Sequence, residues 1–183
     1  MKKIFFFFIL FFFSTKTYPS EIKDKIIQNL VEIDNISFNF EQNINGKIEN
    51  GKCTLEYPKK ISCSYDLKNK KILITNGRTL VIKTSSSYYL YPIEKTPLNF
   101  ILDKNYLIKK ISKIKEREID NKFINFIFYE NDNEINLFFD KKTYNLIGWQ
   151  TLDIYQNLSI TYIYSIVKNQ KLKNNLFKLP EQN

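Results

Sequence analysis

The feature that most constrains the fold is a series of short, one-sided strands between Asn35 and Leu102. In residues 36–41, apolar Ile and Phe alternate with Ser, Asn and Glu, and this period of two predicts a β-strand with one buried face. Asn76-Gly77 separates two further apolar runs and is a strong hairpin signal. The series ends at Thr96-Pro97, where a capping threonine and a proline at the first helical position predict a short apolar helix over 98–102. One-sided strands closed by an apolar flap predict a half-open container rather than a catalytic cleft.

The second half of the chain repeats the strand pattern, so most of the molecule is predicted to be one sheet. Alternating segments there are separated by turns near 131–133, 141–145 and 154–157. The total is about ten or eleven antiparallel strands, and a sheet of that many strands curls strongly or closes. Residues 21–33 predict an amphipathic helix, whereas residues 108–114 fit either a helix or the start of a strand. The predicted fold class is mainly β with short helices (α+β), in a single domain over residues 21–183.

The N-terminus has the pattern of a secretory signal peptide. Lys2 and Lys3 precede an unbroken apolar run from Ile4 to Phe13. This run is too short to cross a bilayer, which needs about 20 residues, but it fits the core of an export signal. We predict that residues 1–20 form a signal peptide. Tyr18 is bulky for its place before the cleavage point, and a retained N-terminal anchor is the alternative.

The chain contains no histidine, which removes the commonest general base, the commonest metal ligand and the usual partner of a nucleophilic serine or cysteine. The acidic residues within 116–120 fit a solvated strand face better than carboxylate catalysis. The net charge of +9 comes almost entirely from lysines, and no nucleic-acid-binding motif accompanies it. We therefore predict a protein that is not an enzyme, uses no metal or other cofactor and binds no nucleic acid.

Cys53 and Cys63, the only cysteines, flank a predicted hairpin turn at Pro58. Alternation along the two arms points both sulfur atoms to the same apolar side. Opposed residues of an antiparallel pair have Cα atoms about 4.5–5.5 Å apart, within the reach of a disulfide. We expect this bond in an oxidising compartment, and two buried free thiols are the alternative.

Five short segments occur in a recognisable order along the chain. They are Phe40-x-Gln42, the turn at Pro58, residues 76–80, Thr96-Pro97-Leu98, and the stretch from Leu146 through Trp149 to Asp153. Together they resemble LolA, the family of periplasmic outer-membrane lipoprotein carriers, over essentially the whole chain after residue 20. The resemblance implies an incomplete, strongly curved antiparallel β-barrel with a helical lid over an apolar cavity. Tyr57 stands where the family usually has the arginine that latches the lid.

The resemblance also implies a function. The chain would be a chaperone in the periplasm of a Gram-negative bacterium, carrying lipoproteins from the inner to the outer membrane. Its partners would be acylated lipoproteins, an inner-membrane lipoprotein-releasing ABC transporter, and a LolB-like outer-membrane acceptor or the outer membrane itself; we expect a monomer. A periplasmic lipid-binding sensor or regulatory protein with a similar half-barrel is the alternative, and a hydrolase is disfavoured by the missing histidine.

The large apolar residues of the predicted inner face either fill a packed core or line a cavity for acyl chains. The residues predicted to line the cavity are Phe38, Phe40, Leu55, Tyr57, Tyr65, Ile74, Leu80, Phe126, Phe128, Phe139, Trp149 and Tyr162. The residues predicted to form the lid are Ile22, Ile26, Leu30, Pro97, Leu98, Phe100, Ile101 and Leu102. Leu67, an apolar residue in a polar loop, is a candidate for membrane contact at delivery, although a lone exposed leucine ordinarily has no function.

Overall fold

The computed structural model describes residues 21–131, 133–153 and 155–182, and the predicted signal peptide lies outside these residues. The described chain forms eleven strands, three α-helices and one 3-10 helix. In chain order these are α1 (Glu21–Val31), β1 (Asn35–Ile44), β2 (Lys47–Glu56), β3 (Lys60–Tyr65), β4 (Ile72–Asn76), β5 (Thr79–Lys83), β6 (Tyr88–Pro92), the 3-10 helix (Ile93–Lys95), α2 (Leu98–Ile101), α3 (Lys104–Ile111), β7 (Arg117–Ile119), β8 (Phe123–Glu130), β9 (Asn133–Asp140), β10 (Leu146–Leu152) and β11 (Leu158–Lys168).

All eleven strands belong to one antiparallel sheet, in the order β6-β5-β4-β3-β2-β1-β11-β10-β9-β8-β7. Each half of the chain is a meander of neighbouring strands. The two meanders join where β1 pairs with β11, from Ile36 opposite Lys168 to Ile44 opposite Ser159. In the described part of the chain, β6 and β7 remain as separate edges, so the sheet is open and curled and is not a closed barrel. The predicted fold class is confirmed.

Gly51 allows a close approach on the inner face of the sheet. A Cβ atom at this position would lie 2.2 Å from the backbone oxygen of Ser64 and 2.8 Å from the ring of Phe40. Contacts this short force neighbouring atoms apart, and Gly has no Cβ to make them. The Phe40 ring can therefore lie flat over β2, where a larger residue would push it into the space above the sheet.

The three α-helices cover part of the concave face. The buried residues of α1 are Ile26 and Leu30, and those of α3 are Leu107 and Ile111. The Asp103 side chain caps α3 by accepting a hydrogen bond from the backbone N–H of Tyr106, at 3.0 Å. The segment 108–114, which fits two patterns in the sequence, thus lies mainly in a helix that ends at Ile111. Among the described helices, none is long and apolar enough to cross a membrane.

Residues 169–182 run across the convex face of the sheet. At their start, the backbone N–H of Asn169 donates to the carbonyl of Asn35 at 2.8 Å, at the beginning of β1. Near their end, the hydroxyl of Tyr88 on β6 donates to the carbonyl of Pro180 at 2.8 Å. The C-terminal segment therefore crosses the back of the first six strands.

Two residues that were predicted to line the cavity lie on the convex face instead. Ile74 borders an outer groove together with Leu176 of the C-terminal segment, because Leu73 and Thr75 take the inner face of β4. Tyr162 is 52% exposed, since the inner face of β11 is formed by its neighbours in the alternation. Neither residue lines the cavity, because on both strands the inner face is the less apolar one.

Candidate functional site

A cavity of about 250 Å³ lies between the concave face of the sheet and the lid. Its walls are side chains of β1 to β6, β10 and β11, together with residues 96–98. Most of these side chains are apolar. The predicted cavity residues that the structure places around it are Phe38, Phe40, Tyr65, Leu80 and Trp149.

Aromatic pairs form the floor of the cavity. Phe38 and Trp149 meet edge to face with ring centroids 6.5 Å apart, and Phe40 and Tyr65 do so at 4.9 Å. Edge-to-face geometry is favourable for aromatic rings because the positive edge of one faces the negative face of the other. These contacts fix the rings against the sheet, so the space above them is left open.

Cys53 and Cys63 form a disulfide in the wall of the cavity. The two residues are directly opposed in the pairing of β2 with β3, and their Cα atoms are 4.1 Å apart. The predicted disulfide is therefore present in the structure. It joins two strands whose inner faces contribute to the same apolar surface.

The lid meets the cavity through three consecutive residues, Thr96, Pro97 and Leu98. The Thr96 hydroxyl donates to the carbonyl of Ile93 at 2.8 Å, which closes the turn before α2. Ile101, on the other side of α2, is fully buried in the core. This arrangement leaves Leu98 as the α2 side chain that contacts the empty space.

The other predicted lid residues lie in layers behind this contact. Ile26, Leu30 and Leu102 are buried in the core, and Ile22 is half-buried against it. Phe100 packs against Tyr106 with ring centroids 5.1 Å apart and does not line the cavity. These residues attach the lid to the rest of the molecule.

Tyr57, at the position where the resemblance implies a latch arginine, makes a different set of contacts. Tyr57 is half-buried, and the ammonium of Lys104 lies 5.9 Å from the centre of its ring. Burial, together with the nearby charge of Asp103, raises the pKa of the Tyr57 hydroxyl, so this group stays neutral. Beside it, the backbone N–H of Lys59 donates to the carbonyl of Leu102 at 2.7 Å.

Two lysines complete this connection between the sheet and the helices. The ammonium of Lys59 lies 3.6 Å from a carboxylate oxygen of Asp103, just before α3. The ammonium of Lys104 donates to the carbonyls of Val31 and Ile33, at 3.1 and 2.7 Å, where α1 ends. A cation is favourable at a helix C-terminus, because the last carbonyls there have no partner within the helix.

The half of the sheet under α3 is a packed core and not part of the cavity. Phe126 and Phe139 are fully buried and meet edge to face at 5.8 Å, and Phe128 packs against Tyr106 at 6.1 Å. Leu55 is also fully buried away from the cavity. For these four predicted cavity residues, the packed-core interpretation is the correct one. The open space is confined to the part of the sheet that α1 and α3 do not cover.

Several lining residues were missed by sequence reasoning. The apolar ones are Ile44, Ile61, Leu73, Ile82, Tyr89, Tyr91, Leu152 and Tyr155. The alternation contains a signal for some of them, because Ile61 and Ile82 lie two residues from Cys63 and Leu80 on the same strand faces. Tyr155 lies in a turn, where alternation gives no information.

Polar side chains replace apolar ones toward the end of the cavity opposite the lid. We call the following residues the polar belt: Gln42, Glu49, Lys71, Thr151, Ser159 and Thr161. Along β1 the inner face changes from Phe40 to Gln42, and along β11 it changes from Ile163 to Thr161. The side-chain amide of Gln42 donates to Ser159 at 3.0 Å and to Thr161 at 3.4 Å. The cavity is thus amphipathic along its length.

Glu49 is the charged centre of the polar belt and is only 4% exposed. It accepts hydrogen bonds from Lys71 at 2.5 Å and from Lys47 at 2.8 Å. Burial tends to raise the pKa of Glu49, but the hydrogen bonds from Lys47 and Lys71 outweigh it and hold the pKa below its usual value. Lys71 also lies over the face of Tyr65, 4.1 Å from the ring centre.

Two tyrosines approach each other across the cavity. The hydroxyl oxygens of Tyr91 on β6 and Tyr155 in the turn before β11 are 3.5 Å apart, although these elements are far apart in the sheet order. Burial, and then the hydrogen bond to Tyr155, raise the pKa of Tyr91 to about 12. Leu67 is half-buried in its loop. Membrane contact through Leu67 stays a prediction.

Comparison with known proteins identifies one family. The family model described as "Outer membrane lipoprotein carrier protein LolA" matches residues 32–180. No curated protein sequence matches the chain. The family match covers every described strand together with α2 and α3, and it begins just after α1.

Three solved structures are similar in overall chain path. A LolA superfamily protein from Nitrosomonas europaea has 7% identity and a TM-score of 0.47, covering 86% of this chain and 96% of its own. A putative outer membrane lipoprotein-sorting protein domain from Vibrio parahaemolyticus has 9% identity and a TM-score of 0.46, covering 84% and 95%. MucB has 11% identity and a TM-score of 0.46, covering 88% and 64%.

Proposed function

This chain belongs to the LolA family of outer membrane lipoprotein carrier proteins, and from that premise we propose that it shelters the acyl chains of lipoproteins between two membranes. In this proposal the protein works in the periplasm, receives lipoproteins from an inner-membrane ABC transporter, and delivers them to an outer-membrane acceptor or to the outer membrane itself. The observation that supports it most directly is the apolar cavity beneath the lid.

The energetics of acyl chains explain why such a carrier is needed. Exposing the acyl chains of a lipoprotein anchor, with about 45 methylenes, to water would cost a free energy on the order of 35 kcal/mol, at ~0.8 kcal/mol for each methylene. Spontaneous transfer through water is therefore negligible. A protein cavity that is nearly as apolar as the bilayer removes this barrier, because the chains never contact bulk water.

Leu98 gives a test of the binding site. Replacing Leu98 by Asp puts a charge on the lid side chain that lines the cavity, and burying a charge beside acyl chains is strongly unfavourable. We expect the L98D variant to lose binding of a synthetic diacylated lipopeptide in a fluorescence titration. Leu90→Asp is the matched control, because Leu90 is 55% exposed and lies outside this cavity. Unchanged binding by L98D would contradict the proposed site.

A release assay separates the carrier from a lipid-binding sensor. Inner-membrane vesicles that contain lipoproteins and the releasing transporter are incubated with ATP and the purified protein. We expect acylated lipoprotein to appear in the soluble fraction as a complex with this chain, and then to move to added outer-membrane vesicles. If the chain binds lipopeptide but releases no lipoprotein from vesicles, the carrier function is refuted and a sensor role is favoured.

A further inference from the structure

The inner face changes from apolar to polar at the same level on β1 and β11, where Phe40 is opposite Ile163 and Gln42 is opposite Thr161. On β10 the change comes two residues later, because Trp149 is opposite Thr161 and Thr151 is opposite Ser159. Moving away from the lid, Phe40 is followed by Gln42 on β1, Trp149 by Thr151 on β10, and Ile163 by Thr161 on β11. The register places these polar residues side by side, since Gln42 is opposite both Glu49 and Thr161. The cavity is therefore apolar near the lid and carries polar side chains toward the mouth, the end farther from the lid, where apolar residues such as Ile44 and Leu152 also lie.

The polar belt has hydrogen-bond donors that remain available to a ligand. Ser159 and Thr161 accept hydrogen bonds from Gln42, and among the described residues no acceptor is seen for their own hydroxyl hydrogens. Lys71 uses one of its three N–H groups on Glu49 and also lines the cavity. The described belt thus offers donors at a point where the adjoining surface is apolar.

This pattern matches the chemistry of an acyl ester. In a diacylglyceryl group the hydrocarbon chains end at ester carbonyls, which accept hydrogen bonds and cannot donate them. A site that binds only hydrocarbon chains does not need hydrogen-bond donors, and buried donors that have no acceptor are unfavourable. A ligand whose carbonyls reach the belt satisfies these donors while its chains fill the apolar part.

We propose that Lys71, Ser159 and Thr161 form a subsite for the ester carbonyls of a diacylglyceryl group, with the acyl chains extending from the belt toward Leu98. The proposal rests on the proposed function, because it describes how the same cavity orients its ligand. The polar head then lies at the mouth, beside Tyr155. Lipoproteins and diacyl phospholipids carry the same ester group, so both are included in the test.

The test compares ester-linked and ether-linked ligands of equal chain length. Titration of the wild-type protein with a diacylglyceryl-cysteine lipopeptide and with its dialkyl ether analogue measures the contribution of the carbonyls. Two hydrogen bonds predict about 10-fold tighter binding of the ester. The double variant Ser159→Ala/Thr161→Val, which keeps only Lys71 of the three donors, should lose most of this preference and bind the ester nearly as weakly as the wild-type protein binds the ether. Phosphatidylglycerol and its dialkyl ether form a second pair, and a preference in both pairs assigns the subsite to any diacylglyceryl group.

Two control variants separate the subsite from general effects on folding. Thr161→Ser keeps the hydroxyl and should keep the ester preference. Thr54→Val removes a hydroxyl from the convex face of the same sheet, where Thr54 contacts Ser37, and should also keep the preference. Equal binding of ester and ether by the wild-type protein, or a preference that is undiminished in the double variant, overturns the subsite alone. If the wild-type protein binds none of the four compounds, the proposed function is overturned as well.

Discussion

At the scale of single residues, Glu49 is the most informative side chain. It is a nearly buried carboxylate between two ammonium groups, next to an apolar cavity. A buried charge is tolerated when hydrogen bonds and an opposite charge replace the lost water. The lowered pKa of Glu49 means that the folded state favours the ionised form, so folding and ionisation support each other.

Replacing Glu49 by Gln therefore has an effect that depends on pH. The contribution of Glu49 is fully present above the unfolded pKa of about 4.3 and is lost as the pH falls through the lower folded value. We expect E49Q to lower the free energy of unfolding by about 2 kcal/mol at pH 7, the size of a hydrogen bond to a charged group. Urea denaturation at pH 7 and at pH 3 checks this. The difference in the free energy of unfolding between the wild-type protein and E49Q should largely disappear at pH 3. An equal difference at both values, or an equal loss in the exposed control Glu41→Gln, would argue against this role.

Residue positions on the inner face were predictable only where one strand face was clearly more apolar. Phe38 and Phe40 alternate with polar residues, and both lie on the inner face. On β11 the rule failed, because the inner face carries Ser159 and Thr161 while Tyr162 faces outward. Because the polar belt places polar residues on the inner face, polarity does not indicate exposure here. Alternation alone could therefore not show which face of β11 points into the cavity.

At the scale of elements, α3 depends more on its cap than on the ion pair beside it. Asp103 caps α3 through Tyr106 and also faces Lys59, whose ammonium is 3.6 Å away. A cap contributes about 1 kcal/mol, whereas a partly exposed ion pair contributes about 0–1 kcal/mol. The two contributions can be separated, because Lys59 takes part only in the second.

We expect Asp103→Ala to destabilise α3 and Lys59→Met to leave it nearly unchanged. In D103A the first-turn amides of α3 lose their side-chain acceptor, and amide hydrogen exchange over residues 104–111 should be about five-fold faster, as a loss of about 1 kcal/mol implies. Exchange in β8 serves as the internal reference. Equal acceleration in both variants would mean that the ion pair, and not the cap, stabilises α3.

The elements themselves were largely predictable. Thr96-Pro97 correctly indicated that a helix starts at about residue 98, but Pro97 takes the cap position of α2 and the Thr96 hydroxyl bonds to Ile93 instead of capping the helix. Turn signals such as Asn76-Gly77 correctly separated β4 from β5. The segment 108–114 was ambiguous because its isoleucines recur every three residues, and the helix became clear only from the Asp103 cap and the packing of Ile111 in the core. Local patterns indicate that an element exists more reliably than they indicate where it ends.

At the scale of the whole molecule, the cavity is small for its proposed ligand. Pockets for drug-sized molecules are typically about 300–1,000 Å³, and this cavity is about 250 Å³. A ligand with several long chains therefore requires the lid or the mouth to move apart. The contact between Tyr91 and Tyr155 lies where such a movement would open the curled sheet.

If this contact restrains the mouth, removing it should speed ligand exchange. We expect Tyr155→Ala to increase the dissociation rate of a bound diacylated lipopeptide several-fold, with little change in the free energy of unfolding because Tyr155 is 66% exposed. Tyr129→Ala is the matched control, since Tyr129 is equally exposed but lies outside the cavity. Stopped-flow fluorescence measures the rates. Equal rates in the two variants would exclude a role of Tyr155 at the mouth.

The overall topology was harder to predict than its parts. Hairpin signals give the two meanders, because each joins strands that are neighbours in the chain. The pairing of β1 with β11 joins residues more than a hundred positions apart, and no local pattern contains that information. It decides which inner faces meet, and therefore where the cavity lies.

The C-terminal segment on the convex face provides a position for a fluorescent label. The backbone carbonyl of Glu181 accepts a hydrogen bond from Lys83 at 2.8 Å, at the hairpin end of β5 that borders the cavity mouth. A dye attached at Glu181 would sit outside the cavity, on the strand pair that carries Tyr91. Energy transfer to a second dye near Tyr155 would then record the widening of the molecule as cargo enters, without any label in the path of the cargo.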